Sequence, residues 1–111
     1  MLEVLALAAV AALLVLAATA TAATKRLAVG DNWFARPAGV PRVTIHRGDA
    51  VVWRWRGHTI HNVHVARGPA RFTSPTKSRG TWRRKFNRRG RYVLICTIHG
   101  GADQKMVLKV R

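Results

Sequence analysis

Short runs in which apolar and polar residues alternate recur along the chain after residue 24, and they predict β-strands. Turn-forming Gly, Asp, Asn and Pro residues separate these runs, and none of them has a helical period. About seven short strands at this spacing are typical of a Greek-key β-sandwich, so the sequence predicts an all-β fold. The predicted strands cover residues 25–29, 43–46, 51–56, 61–65, 81–86, 91–96 and 105–111.

Two connections in this pattern bear on the architecture. Runs 43–46 and 51–56 are separated by the turn-like residues 47–49, and we predict that they pair as an antiparallel hairpin. Residues 70–79 have little pattern, and we predict a loop that crosses from one sheet to the other.

Four aromatic residues have the spacing of side chains that share one face of a strand. A small sandwich needs large side chains to fill its core, which favours a core role over base stacking. The pairs are Trp53 with Trp55 and Trp82 with Phe86.

The first residues form a separate segment. Val4–Ala18 is uninterrupted apolar sequence, and Ala20-Thr21-Ala22 has the small residues that a signal peptidase accepts. We therefore expect a signal peptide over residues 1–23, cleaved near Ala22 or Ala23, and an exported domain over residues 24–111. Export would place the domain in the periplasm, in the cell envelope or outside the cell. The start of the chain lacks the usual positive charge, so the alternative is a segment retained as an anchor.

The chain is strongly basic, with 20 Lys and Arg residues, four Asp and Glu residues and a net charge of +16. Glu3 lies in the predicted leader and no basic residue precedes Lys25, so the exported domain would carry +17. Such a field repels like molecules, which favours a monomer. It attracts anionic partners, such as acidic proteins, anionic lipid, cell-wall polymers or nucleic acid. Compositional drift toward Arg is the alternative origin of this charge.

Cys96 is the only cysteine, and it stands three positions before His99. One cysteine cannot form an internal disulfide in an exported protein, and the nearby imidazole favours metal binding. Thiolate and imidazole ligands favour copper, zinc or iron over magnesium or calcium. His61 is the best candidate for a third ligand. Two His and one Cys with a weak axial ligand form the trigonal arrangement of blue-copper sites.

Several segments together resemble the plastocyanin-like branch of the cupredoxins. This resemblance implies one copper ion per chain, with His61, Cys96 and His99 as ligands. It also suggests that Asn62 ties the two ligand loops together by hydrogen bonds instead of binding the metal. The segments are Val29–Phe34, Gly48-Asp49, His61-Asn62-Val63, Tyr92 with Cys96-Thr97-Ile98-His99, and Lys105–Val110.

The axial ligand departs from the family pattern. In such proteins a Met lies eight or six residues after the Cys, and here those positions are Gln104 and Ala102. The amide oxygen of Gln104 is a weak donor of the kind that stellacyanin-like relatives use, so we predict Gln104 as the axial ligand. The alternatives are that Gln104 faces solvent or that Met106 folds back to the metal. Alternation with Leu108 instead favours Met106 as a core residue.

The other histidines are predicted to lie outside the site. His64 is three positions along a strand from His61, so its side chain points to the opposite face. His58 is interpreted as an ordinary loop residue because no carboxylate or thiol adjoins it in sequence, and His46 as a surface residue at a strand end.

These residues predict an exported one-electron carrier and not an enzyme, working with an acidic redox protein. The exposed edge of His99, next to Gly100 and Gly101, is where a partner would approach. One alternative is a copper-binding or copper-delivery protein without a redox role. Another is a basic β-domain that binds nucleic acid, against which the leader argues, so no nucleic-acid partner is expected.

Overall fold

The computed structural model describes residues 21–111, which form two four-stranded sheets packed face to face. The first sheet has the order β2-β1-β4-β6 and the second the order β3-β8-β7-β5. The strands are β1 (Thr24–Gly30), β2 (Trp33–Phe34), β3 (Arg42–Ile45), β4 (Ala50–Trp55), β5 (His64–Arg67), β6 (Gly80–Lys85), β7 (Gly90–Ile95) and β8 (Lys105–Val110). The prediction of an all-β sandwich is confirmed. Within residues 21–111, no helix has the length and apolar character needed to span a membrane.

The predicted hairpin between the third and fourth strands is wrong. β3 pairs in parallel with β8 in the second sheet, whereas β4 pairs in parallel with β1 and antiparallel with β6 in the first. The turn between them is therefore a crossover between sheets, because both strands obtain their ladder partners from distant parts of the chain. The predicted crossing over residues 70–79 is confirmed, since β5 and β6 lie in different sheets. The strand missing from the prediction is the two-residue β2, which pairs with the end of β1.

The inner faces of both sheets form one core, and the predicted aromatic residues contribute to it. Trp53, Trp55 and Phe86 are buried, and Trp82, opposite Trp53 in the neighbouring strand, is partly buried. Alternation along each strand explains this arrangement, since every second side chain points inward. The core prediction for these residues is confirmed.

Tyr92 anchors the strand that leads to the cysteine. Its hydroxyl donates a hydrogen bond to the backbone oxygen of Arg88 at 2.9 Å, which closes the turn before β7. Its ring packs edge-on against Phe86. Burial raises the pKa of Tyr92 above its ordinary value. The position of Cys96 at the end of β7 is thus fixed by core packing on one side and by a tied turn at the start of the strand.

The loops gather at the two ends of the sandwich. At one end, Ala23 donates its backbone N–H to Asp49 at 2.8 Å, just before β1 begins. At the other end, β1 finishes at Gly30, whose carbonyl accepts a hydrogen bond from Gln104 at 2.8 Å. The seven residues of β1 span roughly 20 Å at about 3.3 Å per residue, and this separates the two ends. The predicted leader lies outside the described residues except for residues 21–23, and its cleavage stays a prediction.

Asp49 makes the folding stability of the domain depend on pH. The backbone N–H groups of Ala23 and His46 both donate to its carboxylate at 2.8 Å, and they hold the pKa of Asp49 below its usual value. Its stabilising contribution is therefore complete above the unfolded pKa of about 3.9 and is lost as the pH falls through the lower folded pKa. We expect Asp49→Asn to lower the melting temperature at pH 7 and to flatten its fall between pH 5 and pH 2. Thermal melts across that range test this, and equal slopes in both proteins would contradict it.

Candidate metal centre

Three predicted ligands converge at the end of the sandwich where β1 finishes. Cys96 immediately follows β7, and His99 lies in the loop between β7 and β8. His61 lies before β5, where its backbone N–H and carbonyl both bond to Lys77 at 2.9 and 3.0 Å. Each ligand therefore comes from backbone that the sheets or a bridge hold in place.

The donor atoms form a compact triangle. The Cys96 Sγ lies 3.5 Å from His99 Nδ1 and 3.9 Å from His61 Nδ1, and the two Nδ1 atoms are 3.2 Å apart. A point in their plane lies about 2 Å from all three, which is close to the length of a metal–nitrogen bond. His61 and Cys96 are fully buried, whereas His99 is partly exposed. The cluster has the spacing to hold a metal ion, and its donor set is able to bind copper.

Asp31 fixes the orientation of His61, and sequence reasoning missed this role. His61 Nε2 donates to the Asp31 carboxylate at 2.7 Å. The same carboxylate accepts the backbone N–H groups of His58 and Thr59 and the Thr59 hydroxyl. These bonds, led by that of His61, hold the pKa of Asp31 well below its usual range. A proton kept on Nε2 leaves the Nδ1 lone pair free to face Cys96, as in carboxylate–histidine–metal arrangements.

Gly57 allows this contact because it has no side chain. A Cβ at residue 57 would collide with the Asp31 carboxylate. Gly57, two residues after the end of β4, thus makes room for the group that orients a ligand. Any larger residue there would displace Asp31 from His61.

Asn62 joins the two segments that carry the ligands. Its Oδ1 accepts the backbone N–H of Thr97 at 2.9 Å, and its Nδ2 donates to the Thr97 hydroxyl at 2.8 Å. Asn62 follows His61 and Thr97 follows Cys96, so this reciprocal pair couples the positions of two ligands. These are hydrogen bonds of the kind expected from the sequence.

Gln104 is fully buried, so the alternative in which it faces solvent is wrong. Its Nε2 donates to the carbonyls of Gly30 and Trp33 at 2.8 and 3.0 Å. Its Oε1 is buried and has no hydrogen-bond partner among the described residues. Because no donor in residues 21–111 bonds to it, this oxygen has lone pairs available in the interior. Leaving a buried acceptor without a partner costs about 1–3 kcal/mol of stability, which binding to a metal ion would offset. The Gln104 backbone carbonyl accepts the N–H of Cys96 at 3.2 Å, which places the residue beside the cluster.

Met106 packs in the core. It is fully buried on β8, opposite Leu94 of β7 and in the same hydrophobic cluster. This agrees with the alternation seen in the sequence.

The remaining histidines lie outside the cluster, as predicted. His64 Nδ1 lies 2.7 Å from the Thr73 hydroxyl, and His46 is exposed at the end of β3. His58 is exposed, and although no carboxylate adjoins it in sequence, the folded chain places one nearby. Its Nδ1 lies 3.9 Å from the Asp31 carboxylate, because the fold brings together residues that are distant in sequence.

Comparison with solved structures identifies the architecture. An oxidised Pro-to-Gly variant of amicyanin superposes with a TM-score of 0.64 at 24% identity, covering 79% of this chain and 82% of that one. A Met-to-Gln variant of amicyanin in the Cu(I) state gives 0.65 at 23% identity, with the same coverage. The fold is that of a cupredoxin. The chain also matches a copper-containing nitrite reductase from Thermus scotoductus SA-01, with a TM-score of 0.64 at 22% identity.

The two kinds of match differ in how much of the other protein this chain covers. The chain spans 22% of the nitrite reductase chain, against 82% of the amicyanin chains. No family model matches this sequence, and no curated protein does. At identities of 22–24% the likeness establishes the cupredoxin fold, while the chemistry of the site depends on this chain's own residues.

Proposed function

We propose that this cupredoxin domain is a one-electron carrier with a single copper ion held by His61, Cys96 and His99. The observation that carries the proposal is the convergence of one thiol and two Nδ1 atoms, 3.2 to 3.9 Å apart, in a largely buried position. A thiolate with two imidazoles is the donor set of blue-copper sites. Copper, when bound, supplies reversible one-electron oxidation and reduction.

The protein's own part is to hold the ligands still and to limit access. Ligand positions set by β7, by the Asn62–Thr97 pair and by Asp31 would change little between oxidation states, and this favours fast exchange. Burial of His61 and Cys96 keeps water away from two ligands. The partly exposed ring of His99 is the proposed point of electron transfer. Exposed Ile60 and Ile98 precede the two histidine ligands and give the surface there an apolar character that suits close approach.

A visible spectrum of the copper-loaded protein tests this function. A carrier gives a strong band near the red end of the visible range that ascorbate bleaches and an oxidant restores. Tight but colourless binding of Cu(I) would instead indicate a copper-delivery protein, the second candidate. Export of the domain is also part of the proposal, and the leader pattern supports it. The intact mass of the mature protein shows whether the leader has been removed.

Gln104 is proposed as the weak axial donor through its Oε1. Two observations support this assignment. The buried Oε1 has no hydrogen-bond partner in the described part of the chain, and the backbone of Gln104 is bonded to the backbone of Cys96. An amide oxygen is harder than a thioether and favours Cu(II). We therefore expect Gln104→Met to raise the reduction potential by about 60 mV or more, which is a tenfold change in relative affinity for the two oxidation states. A redox titration followed at the blue band measures the shift.

Met106→Ala is the matched control for that experiment. The Met106 side chain packs in the core, so its loss should lower stability and leave the potential nearly unchanged. A large shift with Met106→Ala and none with Gln104→Met would exclude Gln104 as the axial ligand. Unchanged potentials in both variants would indicate three ligands or an axial water.

A further inference from the structure

The face of the first sheet that points away from the core is strongly basic. The core side chains Trp53 and Trp55 fix the inward positions of β4, so the alternate residue Arg54 points outward. The strand register places Arg26 of β1 and Arg83 of β6 on the same outer face, on either side of Val52. All three arginines are exposed.

This face contains a groove of about 650 Å³, which we call the arginine groove. Small or apolar residues, including Ala28, Ala35 and Val52, form part of its lining. Four guanidinium side chains surround them, those of Arg26, Arg54, Arg56 and Arg79.

No carboxylate neutralises the groove within residues 21–111. Asp31 is engaged by His61 and the neighbouring loop, and Asp49 by the backbone of Ala23 and His46. Asp103 lies in the loop after His99 and does not line the groove. The ion pairs between described residues involve histidines alone, so the arginines of the groove have no acidic partner in the part of the chain that the structure describes.

The groove extends to the segment that carries a proposed copper ligand. Trp55, at the end of β4, borders the groove, and on the core side of the sheet its buried Nε1–H donates to the backbone carbonyl of His61 at 2.9 Å. Arg56 follows directly, held by a backbone bond to Val29 at 2.8 Å. A molecule seated in the groove would therefore lie beside the end of the sandwich that holds the cluster.

We propose that the arginine groove docks an acidic polypeptide segment of the redox partner, a proposal that rests on the proposed electron-carrier function. Guanidinium groups bind carboxylates through paired hydrogen bonds, so four of them select a segment rich in Asp and Glu. The concave shape fits a protruding chain segment better than a planar bilayer. Its position next to the His61 segment orients the partner toward the copper end of the domain.

The test uses an octaglutamate peptide as the probe, titrated into the copper-loaded protein at low salt. We expect Arg26→Gln/Arg54→Gln/Arg79→Gln to weaken binding tenfold or more. The matched control removes the same charge from the outer face of the second sheet, with Arg42→Gln/Arg91→Gln/Lys109→Gln, and should weaken binding less than threefold. In the reduced wild-type protein, the backbone amide resonances of Arg54 and Arg56, which line the groove, should shift on titration. Raising the salt concentration should weaken wild-type binding steeply, because exposed charges are screened over about 10 Å at 0.1 M.

Two outcomes overturn the proposal. Equal losses in the two triple variants would show that the affinity comes from diffuse charge and not from the groove. Binding to phosphatidylglycerol vesicles that depends on the groove arginines, without binding of octaglutamate, would assign the groove to a membrane surface. Repeating the titration with Cys96→Ser separates this proposal from the proposed function, since peptide binding then persists whether or not the domain carries copper.

Discussion

The Cys96→Ser variant is expected to lose the blue band completely and to bind Cu(II) far more weakly than the wild-type protein. The band arises from the bond between copper and thiolate, and the hydroxyl that replaces the thiol is a poor ligand for copper. The domain itself should remain folded, because its core depends on residues such as Trp53, Tyr92 and Leu94. Absorption spectra with added Cu(II), together with a thermal melt of the metal-free variant, measure both effects.

His64→Gln is the control for this experiment. It removes an imidazole that lies close in sequence to His61 but outside the cluster, so the band and the affinity should be retained. A blue band that survives Cys96→Ser would exclude Cys96 as a ligand. Unfolding of the variant would show that the buried thiol has a larger packing role than its small volume suggests.

Asp31→Asn is expected to weaken Cu(II) binding about 10- to 100-fold, the usual cost of losing a group that orients a metal ligand. The carboxylate accepts a hydrogen bond from His61 Nε2–H, with 2.7 Å between the nitrogen and the oxygen, and this makes the imidazole a stronger donor toward Cu(II). An amide side chain keeps a hydrogen-bond acceptor but removes the charge, so the reduction potential should rise. Competition titrations with a Cu(II) chelator and a redox titration provide the two values.

A second readout for Asp31 does not need copper. In the metal-free wild-type protein, the ¹⁵N chemical shifts of His61 should report a proton held on Nε2, and Asp31→Asn should mix the two tautomers. Asp103→Asn is the matched control, since it removes a negative charge from the ligand loop without a bond to His61. Equal effects of the two substitutions would mean that Asp31 acts through its general field and not through His61.

The sequence predicts the parts of the structure that depend on local pattern. Alternation located seven of the eight strands and the inward aromatic residues, because a strand with one buried face shows its period directly. Cys96 and His99 were recognisable because the two soft ligands lie only three positions apart, one at the end of an apolar strand and one in the loop that follows. The two-residue strand β2 was too short to produce a period.

Strand partners and contacts over long distances could not be predicted in this way. β3 pairs with β8, more than 60 residues later in the chain, and nothing in residues 43–56 distinguishes that pairing from a local hairpin. Asp31 lies 30 residues before His61, and in the sequence it looks like an ordinary turn residue. The unpaired oxygen of Gln104 likewise depends on where Gly30 and Trp33 place their carbonyls.

The position of Ala23 has a practical consequence. It is tied to Asp49 at the end of β1 that lies roughly 20 Å from Gly30 and the ligand loops, taking about 3.3 Å per strand residue. A group joined directly before Ala23 therefore lies at the far end of the sandwich from the ligand loops. An affinity tag, a fusion domain or a tether to a solid support attached there would leave the ring of His99 facing the solution, where a soluble electron donor could still reach it.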